Sequence, residues 1–152
     1  MSLRLTTRTT DGLKAMVDLA LHEGQGPIPV AAIAKRQGIP SDCVGQLLHR
    51  LRRAGLVTAA RGAHGGYALS RPPPQVSVAD IIQVFETTTG RRARPLALEG
   101  GQAADQATRL VWTRIEVAIT AALATTTLAE LAAEARRRHT NHTVNHTYTF
   151  HI

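Results

Sequence analysis

Arginine, histidine, glutamine and aspartate side chains recur at helical spacing between residues 41 and 54, in the segment SDCVGQLLHRLRRA. Guanidinium groups bind phosphate oxygens, and amide or carboxylate groups hydrogen-bond to the edges of bases in the major groove of DNA. This combination on one helix is typical of nucleic-acid recognition. The polar residues that we assign to the outer face of this helix are Asp42, Gln46, His49, Arg52 and Arg53.

A second group of candidate DNA-binding residues follows in a Gly-rich turn that contains Arg61, Gly62 and His64. The turn lies between two short β-capable runs, residues 56–60 and 67–69, which predicts a β-hairpin. A basic helix followed by a basic hairpin is the layout of a winged helix-turn-helix. In that layout the helix enters the major groove, and the hairpin, or wing, reaches a neighbouring groove or the phosphates.

The apolar residues of the first segment predict how the helix is held. Val44, Leu47, Leu48 and Leu51 form one stripe, which predicts an amphipathic helix over residues 41–54. We name it the reading helix. Pro40 has no amide hydrogen, so Ser41 is the expected N-cap, and Gly55 is expected to end the helix. A shorter helix over residues 30–37 and the turn at residues 38–40 complete the helix-turn-helix.

The remaining pattern predicts a mainly α fold with a small β-hairpin wing. An amphipathic helix is expected over residues 8–22, another opened by a capping box of Ser77 and Asp80, and a last one from Leu128 to about Arg138. The chain then divides into a winged helix-turn-helix domain, a loop, a region with a long helix and the terminal helix, and a flexible His/Thr/Asn tail, at residues 1–87, 88–102, 103–138 and 139–152.

The long helix, Ala103–Ala124, carries a broad apolar stripe outside the compact winged unit. An exposed apolar face of that length needs a partner, and a second copy of the chain is the simplest one. We therefore expect a homodimer formed through this helix, with two reading helices about one turn of DNA apart. The alternative is that the helix folds back onto its own domain.

The charge is concentrated in the half of the chain that contains the reading helix and the wing. Residues 1–71 hold ten Lys/Arg against four Asp/Glu, whereas residues 72–152 hold eight against seven. This asymmetry favours phosphate contact over a generally basic surface. The single cysteine excludes an internal disulfide framework and a multi-cysteine zinc site. No secretory segment, membrane-length apolar run or catalytic motif is present, so we expect a cytoplasmic, nucleoid-associated protein that is not an enzyme.

From about Leu3 to Leu131 the sequence resembles the Rrf2 family of bacterial transcriptional regulators, which includes the iron–sulfur cluster regulator, nitric-oxide-sensing repressors and cysteine-metabolism repressors. The matching stretches are RLTTR, DLALHEGQGPIPVAAIAKRQGIP, LLHRLRRAGLV, RGAHGGYALSRP, VSVADIIQVFE, LVW and TLAEL. The resemblance implies a homodimeric regulator, by expectation a repressor, that binds a palindromic operator in double-stranded DNA.

The resemblance also implies roles for individual residues. Arg61 would enter the minor groove from the wing. Base edges would be contacted by Gln46, Ser41 and Asp42. The DNA backbone would lie near Arg4, Thr6 and Thr7.

This chain departs from the cluster-binding members of the family, which carry three cysteines in the loop before the long helix. Residues 88–106 contain none, and Gln106 and Arg109 stand where a cysteine and a histidine would align. Neither an amide nor a guanidinium is a useful iron ligand, so we expect no iron–sulfur cluster. The reading helix also has Gly45 where a larger polar residue is usual. The wing has AHGG where GGG is usual, which makes His64 a candidate DNA contact.

Several interpretations stay open. Cys43 lies in the first turn of the reading helix, where the helix dipole favours a thiolate, so it is either a redox-sensing thiol or a packing residue. The histidines of the tail either bind a divalent metal or belong to a flexible end. Arg91, Arg92 and Arg94 either bind an anion or a partner protein, or are simply exposed. The alternative to a DNA-binding regulator is a winged-helix module that binds a partner regulator.

Overall fold

The computed structural model describes residues 5–86 and 103–145. Its elements, in chain order, are α1 (Thr7–Leu21), α2 (Val30–Gln37), α3 (Ser41–Arg53), β1 (Val57–Ala60), β2 (Gly66–Leu69), a 3-10 turn (Pro73–Gln75), α4 (Val78–Glu86), α5 (Ala103–Thr125) and α6 (Leu128–Asn145). The mainly α fold with a two-stranded hairpin agrees with the prediction. The expected loop at residues 88–102 and residues 146–152 of the tail lie outside the described residues.

Helix α1 is the centre of the core, and α2, α3, α4 and α6 all pack against it. Its buried Ala15, Met16 and Leu19 belong to the same apolar cluster as Leu48 of α3 and Leu128 of α6. This arrangement follows from the helical spacing of the apolar residues, because each helix of the core buries one apolar stripe and removes those side chains from water.

A close approach between α1 and α4 depends on Gly12. The Phe85 ring of α4 lies against this glycine, and a Cβ atom at position 12 would overlap the ring. Phe85 is buried at 2% relative exposure. Gly12 therefore determines how near the two helices can lie.

The wing pairs β1 with β2 in antiparallel register, from Val57 opposite Leu69 to Ala60 opposite Gly66. Residue Ile28 adds a further bridge: its amide donates to the Tyr67 carbonyl at 2.8 Å and its carbonyl accepts from the Tyr67 amide at 2.9 Å. A Cβ atom on Gly66 would overlap the Ile28 carbonyl. The glycine thus allows the chain before α2 to hold the base of the wing.

Two neighbouring capping boxes begin α4 and α6. The Ser77 amide donates to Asp80 at 3.0 Å and the Asp80 amide to the Ser77 hydroxyl at 3.1 Å, which confirms the predicted box. Thr127 and Glu130 make the equivalent pair of bonds, both at 3.3 Å. The Leu128 amide also donates to the Val76 carbonyl at 2.8 Å, which ties the two helix starts together.

Two features of the last helices bear on the predictions. Helix α6 continues past the predicted end at Arg138 to Asn145, so the first part of the tail is helical and the predicted end was too early. Helix α5 has no buried residue and packs chiefly on α4. Its long apolar stripe is consequently left largely in contact with solvent.

Candidate nucleic-acid interface

The apolar stripe of α3 is buried and turns the opposite face of the helix outward. Val44, Leu48 and Leu51 have no measurable exposure, and Leu47 is 6% exposed. The residues that the sequence assigned to the outer face are all exposed, namely Asp42, Gln46, His49, Arg52 and Arg53, and so is Ser41. Because the buried stripe comes from the same helical period, its packing determines which side chains a DNA duplex would meet.

A shallow depression along the outer face of α3 brings most of these residues together. It is lined by Val30, Ser41, Asp42, Gly45, Gln46, His49, Arg50 and Arg53. Sequence reasoning had not assigned Arg50, Gly45 or Val30 to the contact surface. The spacing offered a signal for Arg50, because it follows Gln46 by four residues and so lies one turn further along the same side of the helix.

A second depression lies between α3 and the wing. Arg52, Arg61 and Gly62 line it together with Gly65, Gly66 and residues at the start of α2. Arg52 is therefore directed toward the wing, whereas Arg53 lines the first depression. His64 is exposed in the wing turn and lines neither depression.

The wing turn requires glycine at two positions. Gly62 has φ of +109°, a conformation that side chains disfavour. A Cβ atom on Gly65 would overlap the Ala60 carbonyl, and the Gly65 amide donates to the Gly62 carbonyl at 2.9 Å. These restrictions hold Arg61 at the corner of a tight turn.

The start of α3 corrects one prediction. Pro40, and not Ser41, is the N-cap, and no side chain caps the helix. The Pro40 carbonyl accepts the Val44 amide at 3.0 Å, so the helical hydrogen bonds begin one residue earlier than predicted. The Ser41 hydroxyl is thereby left at the exposed surface of the first turn.

The three residues expected to lie near the DNA backbone are at or before the N-terminus of α1, and they differ in their environments. Thr6 is the N-cap of α1, and its hydroxyl accepts the Thr9 amide at 3.2 Å. The Thr9 hydroxyl donates to Glu86 at 2.7 Å, which links this end of α1 to α4. Thr7 is exposed, and Arg4 lies outside the described residues. A DNA contact by any of the three stays a prediction.

A buried ion pair that sequence reasoning missed joins α1 to α2. The Asp18 side chain is 1% exposed and faces Arg36, whose side chain is 37% exposed. The Gln37 amide nitrogen donates to the same carboxylate at 2.8 Å. Burial alone would raise the pKa of Asp18, but hydrogen bonds from Arg36 and Gln37 and the charge of Arg36 outweigh it and hold that pKa below its ordinary value. The pair fixes the helix that precedes α3.

The other candidate sites are the Cys43 thiol, a metal site and a group of arginines before α5. Cys43 is exposed in α3 and lines neither depression. Among the described residues, no three His, Cys, Asp or Glu side chains are arranged to hold a metal ion. Within the same residues, no helix combines the length and the apolar character needed to cross a bilayer. Arg91, Arg92 and Arg94 lie outside the described residues.

A helix-turn-helix formed by α2 and α3, followed by a β-hairpin beside α3, defines a winged-helix DNA-binding protein. Solved structures agree. CymR, the global cysteine regulator of B. subtilis, superposes with a TM-score of 0.76 at 36% identity, covering 88% of this chain and 98% of that one. IscR of T. potens superposes with a TM-score of 0.73 at 38% identity, covering 89% and 90%.

Sequence comparisons identify the family. The profile of the Rrf2 family, described as an iron-dependent transcriptional regulator, matches residues 5–134. An HTH-type regulator of Synechocystis, slr0846, is 39% identical over 137 residues, which cover 88% of this chain and 90% of that protein. IscR of Sodalis glossinidius is 39% identical over 132 residues, covering 86% and 79%. The chain belongs to the Rrf2 family of DNA-binding transcriptional regulators, and the prediction that it is not an enzyme is confirmed.

Proposed function

We propose that this protein is a homodimeric, cytoplasmic, nucleoid-associated repressor that recognises a palindromic operator. One observation supports this proposal above the others: Gln46, His49 and Arg53 share one exposed depression on α3, and Arg52 and Arg61 line the adjoining one at the wing. Phosphate-binding cations thus lie in the same depression as groups that can hydrogen-bond to bases, and in the adjoining one.

The residues divide into two roles in this proposal. Affinity comes from contacts with the DNA backbone by Arg52 and Arg53, with Arg4, Thr6 and Thr7 at the N-terminal side. Specificity comes from base contacts by Ser41, Asp42 and Gln46. In the wing, Arg61 enters the minor groove, while Gly62 and His64 lie beside it.

The dimer is proposed from the surface of α5. Large apolar side chains are exposed there, with Leu110 at 54%, Val111 at 55%, Ile115 at 36% and Val117 at 64%. A row of this kind along one helix loses solvent contact when a second copy packs against it. A symmetric pair of reading helices then matches two half-sites of a palindrome. Repression is the simplest outcome, because occupancy of the operator needs no further contact surface.

The family description refers to iron, but the residues of this chain do not fit an iron–sulfur cluster. Such clusters are held by several thiolates, with an occasional imidazole. The chain has a single cysteine, Cys43, and it lies in α3. We therefore propose that the protein regulates transcription without a cluster.

Binding of labelled duplex DNA across a salt series tests the function. A library of genomic fragments first yields the preferred operator, and fluorescence anisotropy then gives its affinity at each salt concentration. We expect a steep loss of affinity, with a logarithmic slope of about −0.9 for each phosphate neutralised. Failure to bind duplex DNA at low salt would instead favour a module that binds a partner regulator.

A further inference from the structure

Asp42 is the only carboxylate among the residues that line the depression on α3. It is exposed, and its carboxylate forms no hydrogen bond or ion pair with another described residue. Its neighbours along the depression include His49, Arg50 and Arg53. A single unpaired anion therefore lies on the cationic surface that faces DNA.

An anion in that position weakens binding unless the DNA compensates it. Phosphates repel a carboxylate, and a carboxylate that loses water without gaining a hydrogen bond is strongly disfavoured. In the major groove the hydrogen-bond donors are the amino groups of cytosine and adenine. Adenine places its N7 acceptor beside the amino group, whereas the edge of cytosine offers only the donor. Cytosine is thus the base best suited to donate a hydrogen bond to a carboxylate.

The surface next to Asp42 has room for a base edge. Gly45 follows Asp42 by three residues on the same side of α3, and a Cβ atom built on it meets no atom within 4 Å apart from its chain neighbours and the helix's own backbone. No packing contact therefore accounts for a glycine at this position, although glycine destabilises the interior of a helix relative to alanine. The open space lets the floor of the groove approach the helix backbone beside the carboxylate.

Resting on the proposed DNA-binding function, we propose that Asp42 is a specificity-determining residue that selects cytosine in each half-site by accepting a hydrogen bond from the N4 amino group. Its charge also penalises other bases, because they leave the carboxylate desolvated and unpaired. Gly45 contributes by leaving space for the base pair.

A structural role for Asp42 makes a different prediction. Asp42 lies in the first turn of α3, where a negative charge favours the helix dipole, and no side chain caps that helix. If this were its whole role, Asp42→Asn would lower affinity for all duplexes by one common factor. Base preference would not change.

Selection from a randomised duplex library separates the two roles. Wild-type protein, Asp42→Ala and Asp42→Asn are each used, with Glu23→Gln, at an exposed position after α1 that lines neither depression, as a control for net charge. We expect wild type to select cytosine at one position of each half-site and to prefer it by about 5- to 150-fold over other bases. Asp42→Ala should lose that preference, and Asp42→Asn should shift it toward adenine, which an amide binds through N6 and N7. Glu23→Gln should select as wild type does.

Affinity for scrambled duplex gives a second measure. Both Asp42 variants should bind it more tightly than wild type at low salt, by roughly fivefold or less, because one repulsive charge is gone. Unchanged base preference in both variants, or a uniform loss of affinity, would overturn the proposal. Absence of any duplex binding by wild type would instead overturn the proposed function itself.

Gly45→Ala tests the space beside Asp42. The added methyl group should raise the melting temperature of the protein, since alanine favours the helix. Affinity for the selected operator should nevertheless fall several-fold, because the methyl group occupies the gap. Equal or tighter operator binding by this variant would overturn the role assigned to Gly45.

Discussion

Arg36 forms a bidentate pair of hydrogen bonds with Asp18: its Nε donates to Oδ2 at 2.9 Å and its Nη2 donates to Oδ1 at 2.6 Å. The carboxylate lies on α1 in the core, and the guanidinium lies in the last turn of α2. The bidentate geometry restricts rotation as well as distance. It therefore fixes the orientation of the first helix of the helix-turn-helix, and α3 follows after a short turn.

Asp18→Asn should lower the free energy of unfolding by about 1–3 kcal/mol, because it removes the charge and one acceptor from a buried, hydrogen-bonded group. The loss stays below that of a fully enclosed ion pair since Arg36 still reaches solvent. Urea denaturation followed by circular dichroism measures it. Asp11→Asn is the matched control: Asp11, whose side chain is 21% exposed, pairs with the exposed Lys14 at 3.5 Å, and loss of this pair should cost less than about 0.5 kcal/mol. Equal stability of the two variants would contradict the assignment.

The same carboxylate should make stability depend on pH. Its pKa in the folded protein lies below the ordinary value of 3.8, so the unfolded chain binds a proton more readily. The stabilisation is therefore complete above the unfolded pKa and is lost as the pH falls through the folded one. Unfolding free energies of wild type and Asp18→Asn should differ most at neutral pH and converge in acid. A difference that stays constant down to the acid unfolding limit would show that charge plays no part.

Arg61→Ala should weaken operator binding and reduce the salt dependence of affinity, because a cation leaves the wing. We expect a loss of about 1.5–3 kcal/mol, as for a charged hydrogen bond, and a logarithmic salt slope that is shallower by roughly one phosphate contact. Anisotropy titrations at several salt concentrations give both quantities. Arg136→Ala, an exposed arginine of α6, serves as the control. If both variants lost the same affinity, only net charge would be involved.

Gln46→Ala should relax base preference more than it changes the affinity for unrelated DNA. A bidentate amide contact distinguishes the correct base by roughly 1–3 kcal/mol. Competition between operator and scrambled duplex measures this difference directly. A variant that discriminates as well as wild type would remove Gln46 from the set of base-contacting residues.

Replacement of Val111 and Ile115 by glutamate should convert the proposed dimer to a monomer while the winged domain stays folded. None of the α5 side chains belongs to the buried core, so the charges act on the surface between copies. Sedimentation velocity gives the oligomeric state, and affinity for the palindrome should fall roughly a hundredfold or more as two-site binding is lost. Thr140→Glu, at an exposed position of α6, adds a charge away from α5 as a control. A double variant that sediments as wild type does would exclude this face as the dimer contact.

The sequence alone predicted the helices and the wing because these features depend on local signals. The apolar spacing of α3, the Ser77–Asp80 capping box and the glycines after Arg61 each act within a few residues of one another. The concentration of cations in residues 1–71 is likewise a property of composition. The family resemblance added the expected roles of individual residues in DNA binding, which the periodicity of the sequence does not predict.

Only the tertiary structure decided which distant residues meet. Asp18 and Arg36, Ile28 and Tyr67, and Gly12 and Phe85 come together because helices and strands pack in three dimensions, and no spacing along the chain specifies such pairs. The absence of any side chain over Gly45, in a depression that Asp42 also lines, likewise depends on how the described elements pack. Local hydrogen bonding and apolar periodicity depend on residues that are close together in the sequence, whereas contact between separate elements depends on how the whole core packs.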